Sequence, residues 1–342
     1  MGASQGDPMN KPVEVVQLVL TRSAFRALET EWNTLATRAS PMLQFDWLLS
    51  AAEELDPQEE LRVVTVRREG LLVAAAALVE STGLAPRLEL LGHQLCETHE
   101  VLASDTGAAD TLLHALARLQ RPLILRRIAA GQPGAAAFWR SRKCEDPSGL
   151  PCLQQSCVCT NDMPPLEIAH LAALSPRRSS ALRKHWRSRG PLRASFVSPD
   201  AGTVDAVFAE LRRVEAANSK RRGFEPRSPR VERFFHSFAR RAAERGLVRF
   251  GFLRVGDATA AARMDVECGG ERWELELGCD ARFAPLAAEQ VLSLDALDDA
   301  LARGVRVHHF LGARQPTLSW RAALLEGAAP KVAELRDRLA VG

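Results

Sequence analysis

An order of strand-like and helix-like segments that occurs twice constrains this chain most. In the first half a strand-like run is followed by two helix-like segments, three strand-like runs, a helix-like segment and a last strand-like run. The second half repeats that order from "RASFVS" to "VRVHHFLG". Period-two alternation is typical of strands, and apolar residues three or four positions apart are typical of helices. The repeat therefore predicts two α/β domains of one architecture.

The segment limits predict where the domains lie. A chain of 342 residues is long enough for two ordinary domains. We predict an N-terminal domain at 12–160 and a C-terminal domain at 161–342, with hairpin turns at Gly70 and Gly256. Helices are predicted at 23–38, 42–55, 108–119, 203–218, 230–245 and 287–303, and strands at 13–20, 61–70, 71–82, 87–92, 122–130, 193–198, 247–256, 258–268, 271–280 and 305–312.

Composition and charge exclude several classes of protein. The sequence contains no run of about 18 apolar residues, which a membrane span needs, and its first residues lack the apolar core of a secretory signal. We therefore expect no membrane span and a cytoplasmic location. The seven cysteines lack the paired spacing of a zinc site, so we expect free thiols and no metal. The net charge of +3 does not favour nucleic acid as a partner of the whole chain.

Basic residues concentrate at the junction of the two predicted domains. The segment "SPRRSSALRKHWRSRGPLR" contains no acidic residue and includes Arg183, Lys184 and Arg187. Such a stripe on a helix can hold a nucleotide, an RNA backbone or an anionic lipid surface. The alternative is a solvated arginine-rich surface without a ligand.

A series of segments across residues 28–325 carries a family resemblance. They are "EWNTLATRASPMLQFDWLLSAAEEL" with Trp32, Phe45 and Trp47, "SSALRKHWRSRGPL" at the junction, and "RVERFFHSFARRAAERGLVRFGFLRVGDATAAARMDV" and "GARQPTLSW" in the second half. In this order they resemble the double-GNAT, Fem-like proteins often labelled cellulose-biosynthesis or exopolysaccharide-associated acetyltransferases. The resemblance implies tandem GNAT-like domains, each with a mixed, mainly antiparallel sheet flanked by helices.

The resemblance also implies a chemistry. The donor is an acyl-CoA lying between two strands, and the acceptor is an amine or hydroxyl of a small molecule, a lipid or a carrier-bound polysaccharide precursor. Holding the two reactants in line lowers the barrier, and a general base adds about 10²- to 10⁴-fold.

Candidate bases and acceptor groups lie on the last strands of the second domain. Strict alternation puts Asp265, Glu267, Glu274 and Glu276 on one sheet face, where crowded carboxylates can accept a proton or bind a cationic amine. We assign Glu276 to catalysis, and Asp265 and Glu274 to the acceptor. The alternative is a solvated sheet face.

Two adjacent histidines, His308 and His309, lie on the next strand, where only one can point into the cleft. Either suits a general base near neutral pH. A structural role is the alternative for both.

The donor's phosphates need the backbone N–H groups of a helix N-terminus. The loop "CDARFAPLAAEQ" leads into a predicted helix, and we assign Arg282, Ala287 and Ala288 to the donor. Related proteins usually have Ser-Pro-Gly at the positions of Ala287, Ala288 and Glu289.

In the first domain the resemblance implies an acceptor pocket. Its residues are Trp47, His93, His99 and Glu100. The spacing of the two histidines is poor for a metal on a helix, so we propose none there.

The sequence departs from the family near its end. The family usually has Tyr-Lys at the positions that Pro316 and Thr317 occupy here. The chain contains no tyrosine. Three functions therefore stay open: an acyl-CoA-dependent acyltransferase, an aminoacyl-tRNA-dependent Fem-like transferase, and a non-catalytic scaffold that binds a protein of a surface-polymer or secretion machinery. We favour the acyltransferase, and a dimer is compatible with each of the three.

Overall fold

A computed structural model describes residues 14–37, 39–82, 86–92, 95, 101–124, 166–167, 191–218 and 228–310. The chain divides into two compact units, Met1–Asp162 and Met163–Gly342. The predicted domain limits stay predictions, because the residues around the junction lie outside the described part. Within the ranges that the structure describes, no helix combines the length and the apolar character needed to cross a lipid bilayer.

The first unit is one sheet with helices packed on it. The sheet has the order β1-β2-β3-β4-β6, with β5 beside β3, and among these described strands only β4 and β6 pair in parallel. Its strands are β1 (Glu14–Val19), β2 (Glu59–Arg68), β3 (Leu71–Ser81), β4 (Arg87–Leu90), β5 (Leu102–Ala103) and β6 (Leu123–Ile124), and its helices are α1 (Arg22–Arg26), α2 (Glu29–Leu35), α3 (Phe45–Glu53) and α4 (Thr106–Ala117).

The core of the first unit follows from its aromatic residues and its turns. Phe25, Trp32 and Phe45 are fully buried and their rings contact one another, so they fix α1, α2 and α3 together. The β2–β3 turn has φ of 53° at Glu69 and 82° at Gly70. Two successive positive φ angles are what a tight hairpin turn needs, and the predicted turn lies there.

The second unit has the same layout. Its sheet has the order β7-β12-β11-β10-β9-β8, and of the strand pairs that the structure describes here only β11 and β12 are parallel. Its strands are β7 (Leu166–Glu167), β8 (Leu192–Val197), β9 (Val248–Val255), β10 (Ala258–Cys268), β11 (Glu271–Cys279) and β12 (Val307–Phe310), and its helices are α5 (Val204–Asn218), α6 (Pro229–Glu244) and α7 (Ala288–Ala302).

Local sequence explains why α6 forms where it does. Ser228 caps its N-terminus by accepting a hydrogen bond from the backbone N–H of Val231 at 3.3 Å, and proline is the first helical residue. Phe234, Phe235 and Phe238 are buried along one side of the helix. A cap followed by an apolar stripe of this spacing is typical of a helix that packs on a sheet.

Two helices cover opposite faces of the second sheet. The guanidinium of Arg272 on β11 donates to the carbonyl oxygen of Ala296 on α7 at 2.9 Å, so its side chain lies under α7. A Cβ added at Gly278 would lie 2.6 Å from Cγ of Glu215 on α5, which packs on the other side. We call these sides the α7 face and the α5 face.

The predicted α/β class, with two sheets flanked by helices, is confirmed. The predicted helix at 23–38 is two short helices, and the one at 42–55 begins as a 3-10 turn at Pro41–Leu43 before α3. Strands β5 and β7 were not predicted, because two residues are too few to show alternation. The basic segment at 175–190 and the stretch from 311 onward lie outside the described residues.

Candidate active site

A β-bulge in the β10–β11 hairpin separates carboxylates that alternation would place together. The register pairs Asp265 with Glu274 and Met264 with Glu276, so Leu275 is an extra residue on β11. Paired residues share a face, whereas neighbours on a strand face opposite sides. Glu274 therefore lies with Asp265 on the α7 face, and Glu276 lies on the α5 face. The prediction of one four-carboxylate face is wrong for Glu276, because strict alternation does not allow for a bulge.

On the α7 face, Arg263 is the centre of a buried ion cluster. Its guanidinium donates to Asp265, with Nη2 2.6 Å from Oδ1 and Nε 2.9 Å from Oδ2. Nη2 also lies 3.4 Å from a carboxylate oxygen of Glu274 and 3.2 Å from Nε2 of His308. All four residues are at most 1% exposed. Burial lowers the pKa of Arg263, but the two carboxylates outweigh it, and the net pKa is raised. We call these four residues the Arg263 cluster.

A second buried arginine extends this cluster to α7. Arg272 donates from Nε to Glu267 at 2.8 Å and from Nη2 to Asp299 of α7 at 2.8 Å. Arg303 pairs with Glu267, and Arg249 pairs with Asp299. Burial raises the pKa of both carboxyl groups, but the arginines outweigh it and lower both. Four arginines and four carboxylates thus interleave between the sheet and α7 and fix the helix in place.

The two histidines of β12 lie on opposite faces and have different partners. Because arginine only donates, Nε2 of His308 accepts the hydrogen bond from Arg263. His309 lies on the α5 face, where its Nε2 is 2.6 Å from Oε2 of Glu271 and its ring stacks on Trp273 with centroids 3.6 Å apart. Burial lowers the pKa of His309, partly opposed by Glu271. His308 is therefore part of the ion cluster, and His309 pairs with a carboxylate.

The α5 face brings together the remaining candidates for catalysis. Trp273 and His309 are direct neighbours on β11 and β12, and the described pairing of these strands ends at Glu274 and Phe310. Glu276 follows on β11 and is 3% exposed. The structure therefore separates the predicted catalytic residues: Glu276 and His309 share one face, and His308 lies on the other.

Helix α7 begins without a side-chain cap from any described residue, and we call this an open helix start. Its N-cap residue, Ala287, has left-handed backbone angles of 56° and 41° and makes no side-chain cap hydrogen bond to the first turn, which begins at Ala288 and contains Glu289. Arg282 lies shortly before it, with its side chain 70% exposed and Nη2 2.7 Å from Oδ2 of Asp280. The hydrogen bonds from Arg282 lower the pKa of Asp280. The three residues assigned to the donor therefore lie around one helix start.

The matching helix of the first unit is closed. Helix α4 connects the parallel strands β4 and β6, as α7 connects β11 and β12. Its N-cap, Asp105, accepts a hydrogen bond from the backbone N–H of Ala108 at 2.8 Å and pairs with Arg68 at 3.0 Å. The hydrogen bond from Arg68 is the largest of the effects that lower the pKa of Asp105 to about 2. A carboxylate of the protein thus occupies the place where an anionic ligand would bind.

The other predicted site residues stay predictions. Trp47 is 1% exposed, and a Cβ added at Gly92 would lie 3.2 Å from its Nε1, so its ring is packed and closed to solvent. Six further residues lie outside the described part of the chain: His93, His99, Glu100, Arg183, Lys184 and Arg187.

Metal-ligand sets and reactive thiols are two further kinds of site with which the described residues can be compared. No three His, Cys, Asp or Glu residues among them are grouped so that they could hold a metal ion. Cys268 and Cys279 are free thiols, and burial raises the pKa of Cys268 to about 12.

Sequence reasoning missed the arginines and the partner of His309. Arg263 lies two and four residues before Asp265 and Glu267 and so shares their face. The sequence itself contains this signal. Arg272 and Glu271 lie in the same hairpin, but Arg272 also pairs with Asp299 of α7, and Glu271 pairs with His309 of β12. Those contacts depend on how the helix and the strand return to the sheet, which no local pattern contains.

Comparisons with known proteins agree with this architecture. Residues 177–316 match the family model described as an acetyltransferase (GNAT) domain. The crystal structure of FemX is 10% identical, with a TM-score of 0.53 over 89% of this chain and 90% of that chain. A tandem GNAT protein from the clavulanic acid biosynthesis pathway is 14% identical, with a TM-score of 0.44 over 91% and 94%. A conserved protein of unknown function from Bacteroides thetaiotaomicron is 11% identical, with a TM-score of 0.49 over 91% and 95%.

No curated protein matches the chain. The chain has two α/β units of the same layout, as the sequence predicted, and the second unit is GNAT-like. Its second unit contains the segment that matches the acetyltransferase family model, and that segment includes β8 to β12 and the open helix α7.

Proposed function

We propose that this protein is an acyltransferase whose second unit binds an acyl-CoA donor and transfers the acyl group to an amine or hydroxyl. The observation that carries the proposal is the open start of α7, between two parallel strands, in the segment that matches the acetyltransferase model. Free backbone N–H groups and the positive end of the helix dipole suit the phosphates of the donor.

The contrast between the units supports a single donor site. Helix α4 has the same place between parallel strands, but Asp105 and Arg68 fill its start with an ion pair. Ala287 leaves the start of α7 without a side-chain cap. We therefore assign the donor to the second unit alone, with Arg282 as a nearby cation for the phosphates.

The bulge in β11 supports a place for the reacting end of the donor. Leu275 has no partner in the β10 register, so its backbone groups are not committed to that ladder. Glu276 follows it on the α5 face, where His309 also lies. We assign the thioester to this stretch of β11, with the proton acceptor drawn from Glu276 and His309.

We also propose a class of acceptor and a place for it. The resemblance to exopolysaccharide-associated acetyltransferases supports an amine or hydroxyl of a small molecule, a lipid or a carrier-bound precursor, in surface-polysaccharide or lipid metabolism. Asp265 and Glu274, first assigned to the acceptor, are buried against Arg263, so we move acceptor binding to the α5 face.

Calorimetry with acetyl-CoA on matched variants tests the donor site. Ala287→Asp puts a carboxylate at the start of α7, as Asp105 does on α4, and should weaken acetyl-CoA binding by about tenfold or more. Ala287→Asn is the control, because asparagine has the same shape, tolerates left-handed backbone angles and carries no charge. Equal binding by both variants would contradict this donor site. No binding by the wild-type chain would favour the scaffold function.

A further inference from the structure

We propose that His309 is the proton acceptor of the transfer, acting through Nδ1, and that Glu271 is the residue that positions it. This inference rests on the proposed acyltransferase function and deepens it. The carrying contact is the 2.6 Å distance between Nε2 of His309 and Oε2 of Glu271. The ring is fixed from a second direction by Trp273, which stacks on it at 3.6 Å with an interplanar angle of 11°.

The partners of the two histidines decide which ring nitrogen can take a proton. An ionised carboxylate only accepts hydrogen bonds, so Nε2 of His309 carries the proton and the ring's lone pair lies on Nδ1. At His308 the lone pair of Nε2 already accepts from the Arg263 guanidinium. Protonating that nitrogen would place a second cation against a buried one. His308 is therefore a structural residue, and His309 is the base.

Access supports the same assignment. The side chain of His309 is 19% exposed, whereas the whole of His308 is 1% exposed under α7. His309 lies beside Trp273, one pair before the described pairing of β11 and β12 ends. Glu276 follows on the same face, in the stretch to which we assign the thioester. An acceptor bound between Glu276 and His309 would have its reacting atom near both.

The transfer balances with these groups. The acceptor nitrogen or oxygen attacks the thioester carbonyl carbon and gives its proton to Nδ1 of His309. The carbon–sulfur bond breaks, and the CoA thiolate leaves with that proton, which His309 returns. An amide or ester bond has formed, and His309 is neutral again. The Glu271 carboxylate stabilises the imidazolium in between, which is how it acts through His309.

The charged surroundings of His309 define its pH dependence. Among the described residues, Glu271 is the only charged group that shifts the pKa of His309, and it raises it against the larger lowering effect of burial. Glu167 of β7 pairs in register with Val307, two residues away. Removing the charge of Glu271 should therefore lower the pKa of His309 further.

NMR of the histidine rings in the full chain tests the pairing of His309 with Glu271, and it needs no acceptor substrate. In ¹⁵N-labelled protein the His309 signals are assigned by their loss in His309→Ala, with His114 of the first unit as an internal reference. We expect a neutral ring at pH 7 with the proton on Nε2, and a lower His309 pKa in Glu271→Gln than in the wild type. A proton on Nδ1, or an unchanged pKa in Glu271→Gln, would overturn the proposal. Glu271→Gln keeps the side-chain shape, so it serves even if His309→Ala fails to fold.

A second NMR measurement tests whether His309 lies near the reacting end of the donor. Acetyl-CoA should shift the ring nitrogen signals of His309, while adenosine 3′,5′-bisphosphate, which lacks the pantetheine arm and the acyl group, should leave them unchanged. Acetyl-CoA that binds by calorimetry without shifting His309 would overturn this inference and leave the proposed function standing. Failure of acetyl-CoA to bind at all would overturn both.

Discussion

Two arginines of the second unit show how burial decides the role of a charged residue. Arg263 is fully buried and meets Asp265, Glu274 and His308, whereas the side chain of Arg282 is 70% exposed and pairs only with Asp280 among the described residues. An exposed ion pair contributes little, because solvent screens it. A buried one leaves an uncompensated charge when one partner is removed. The two residues should therefore respond very differently to the same substitution.

Replacing Arg263 tests how much a buried arginine stabilises the second unit. Arg263→Met should lower the free energy of unfolding by about 3 to 5 kcal/mol, because two carboxylates stay buried without their cation. The matched control, Arg282→Met, should leave the free energy of unfolding nearly unchanged, because solvent screens its exposed pair with Asp280. Urea denaturation followed by circular dichroism measures both. Similar small losses in the two variants would show that the Arg263 cluster does not stabilise the unit.

At the scale of elements, α4 and α7 show that one topology can carry two kinds of helix start. Asp105 satisfies a backbone N–H of α4 and is fixed by Arg68. The first turn of α7 has no side-chain cap and follows the left-handed Ala287. A helix start without a cap is less stable on its own. The interleaved arginines and carboxylates under α7 hold that helix in place, so the helix does not depend on a side-chain cap.

Capping predicts the response of α4 to substitution. Asp105→Ala should cost about 1 kcal/mol in the free energy of unfolding, and Asp105→Asn, which also caps, clearly less. The folded pKa of Asp105, about 2, is lower than its ordinary value of 3.8. Its extra contribution to stability is therefore complete above that ordinary value and is lost as the pH falls toward 2. The free energy of unfolding of the wild type and of Asp105→Asn is measured by urea denaturation across this pH range. The difference between the two isolates the effect of the Asp105 charge. A difference that does not change with pH would contradict it.

Elements were predictable where the pattern is local. The alternation in β2, β9, β10 and β11 and the turns at Gly70 and Gly256 predicted these hairpins. The face of Glu276 was not predictable, because one extra residue in β11 reverses the alternation beyond it. The Glu271–His309 contact joins residues 38 positions apart. It exists only because α7 returns the chain so that β12 pairs in parallel with β11.

In the whole molecule, two units of the same topology have different helix starts. In each unit a helix connects two parallel strands, but the first unit fills its helix start with Asp105 and the second leaves it open. The family model matches 177–316, within the second unit. A duplicated fold in which one copy keeps the donor site accounts for both observations. The central claim is that the second unit alone binds the acyl-CoA donor.

Hydrogen exchange with mass spectrometry tests this claim most directly. The full chain is compared with and without saturating acetyl-CoA, and protection is mapped along the sequence. We expect slower exchange in peptides covering 275–279 and 282–292, and unchanged exchange over Thr106–Ala117 of α4. Protection of α4, or none in either unit, would contradict the central claim.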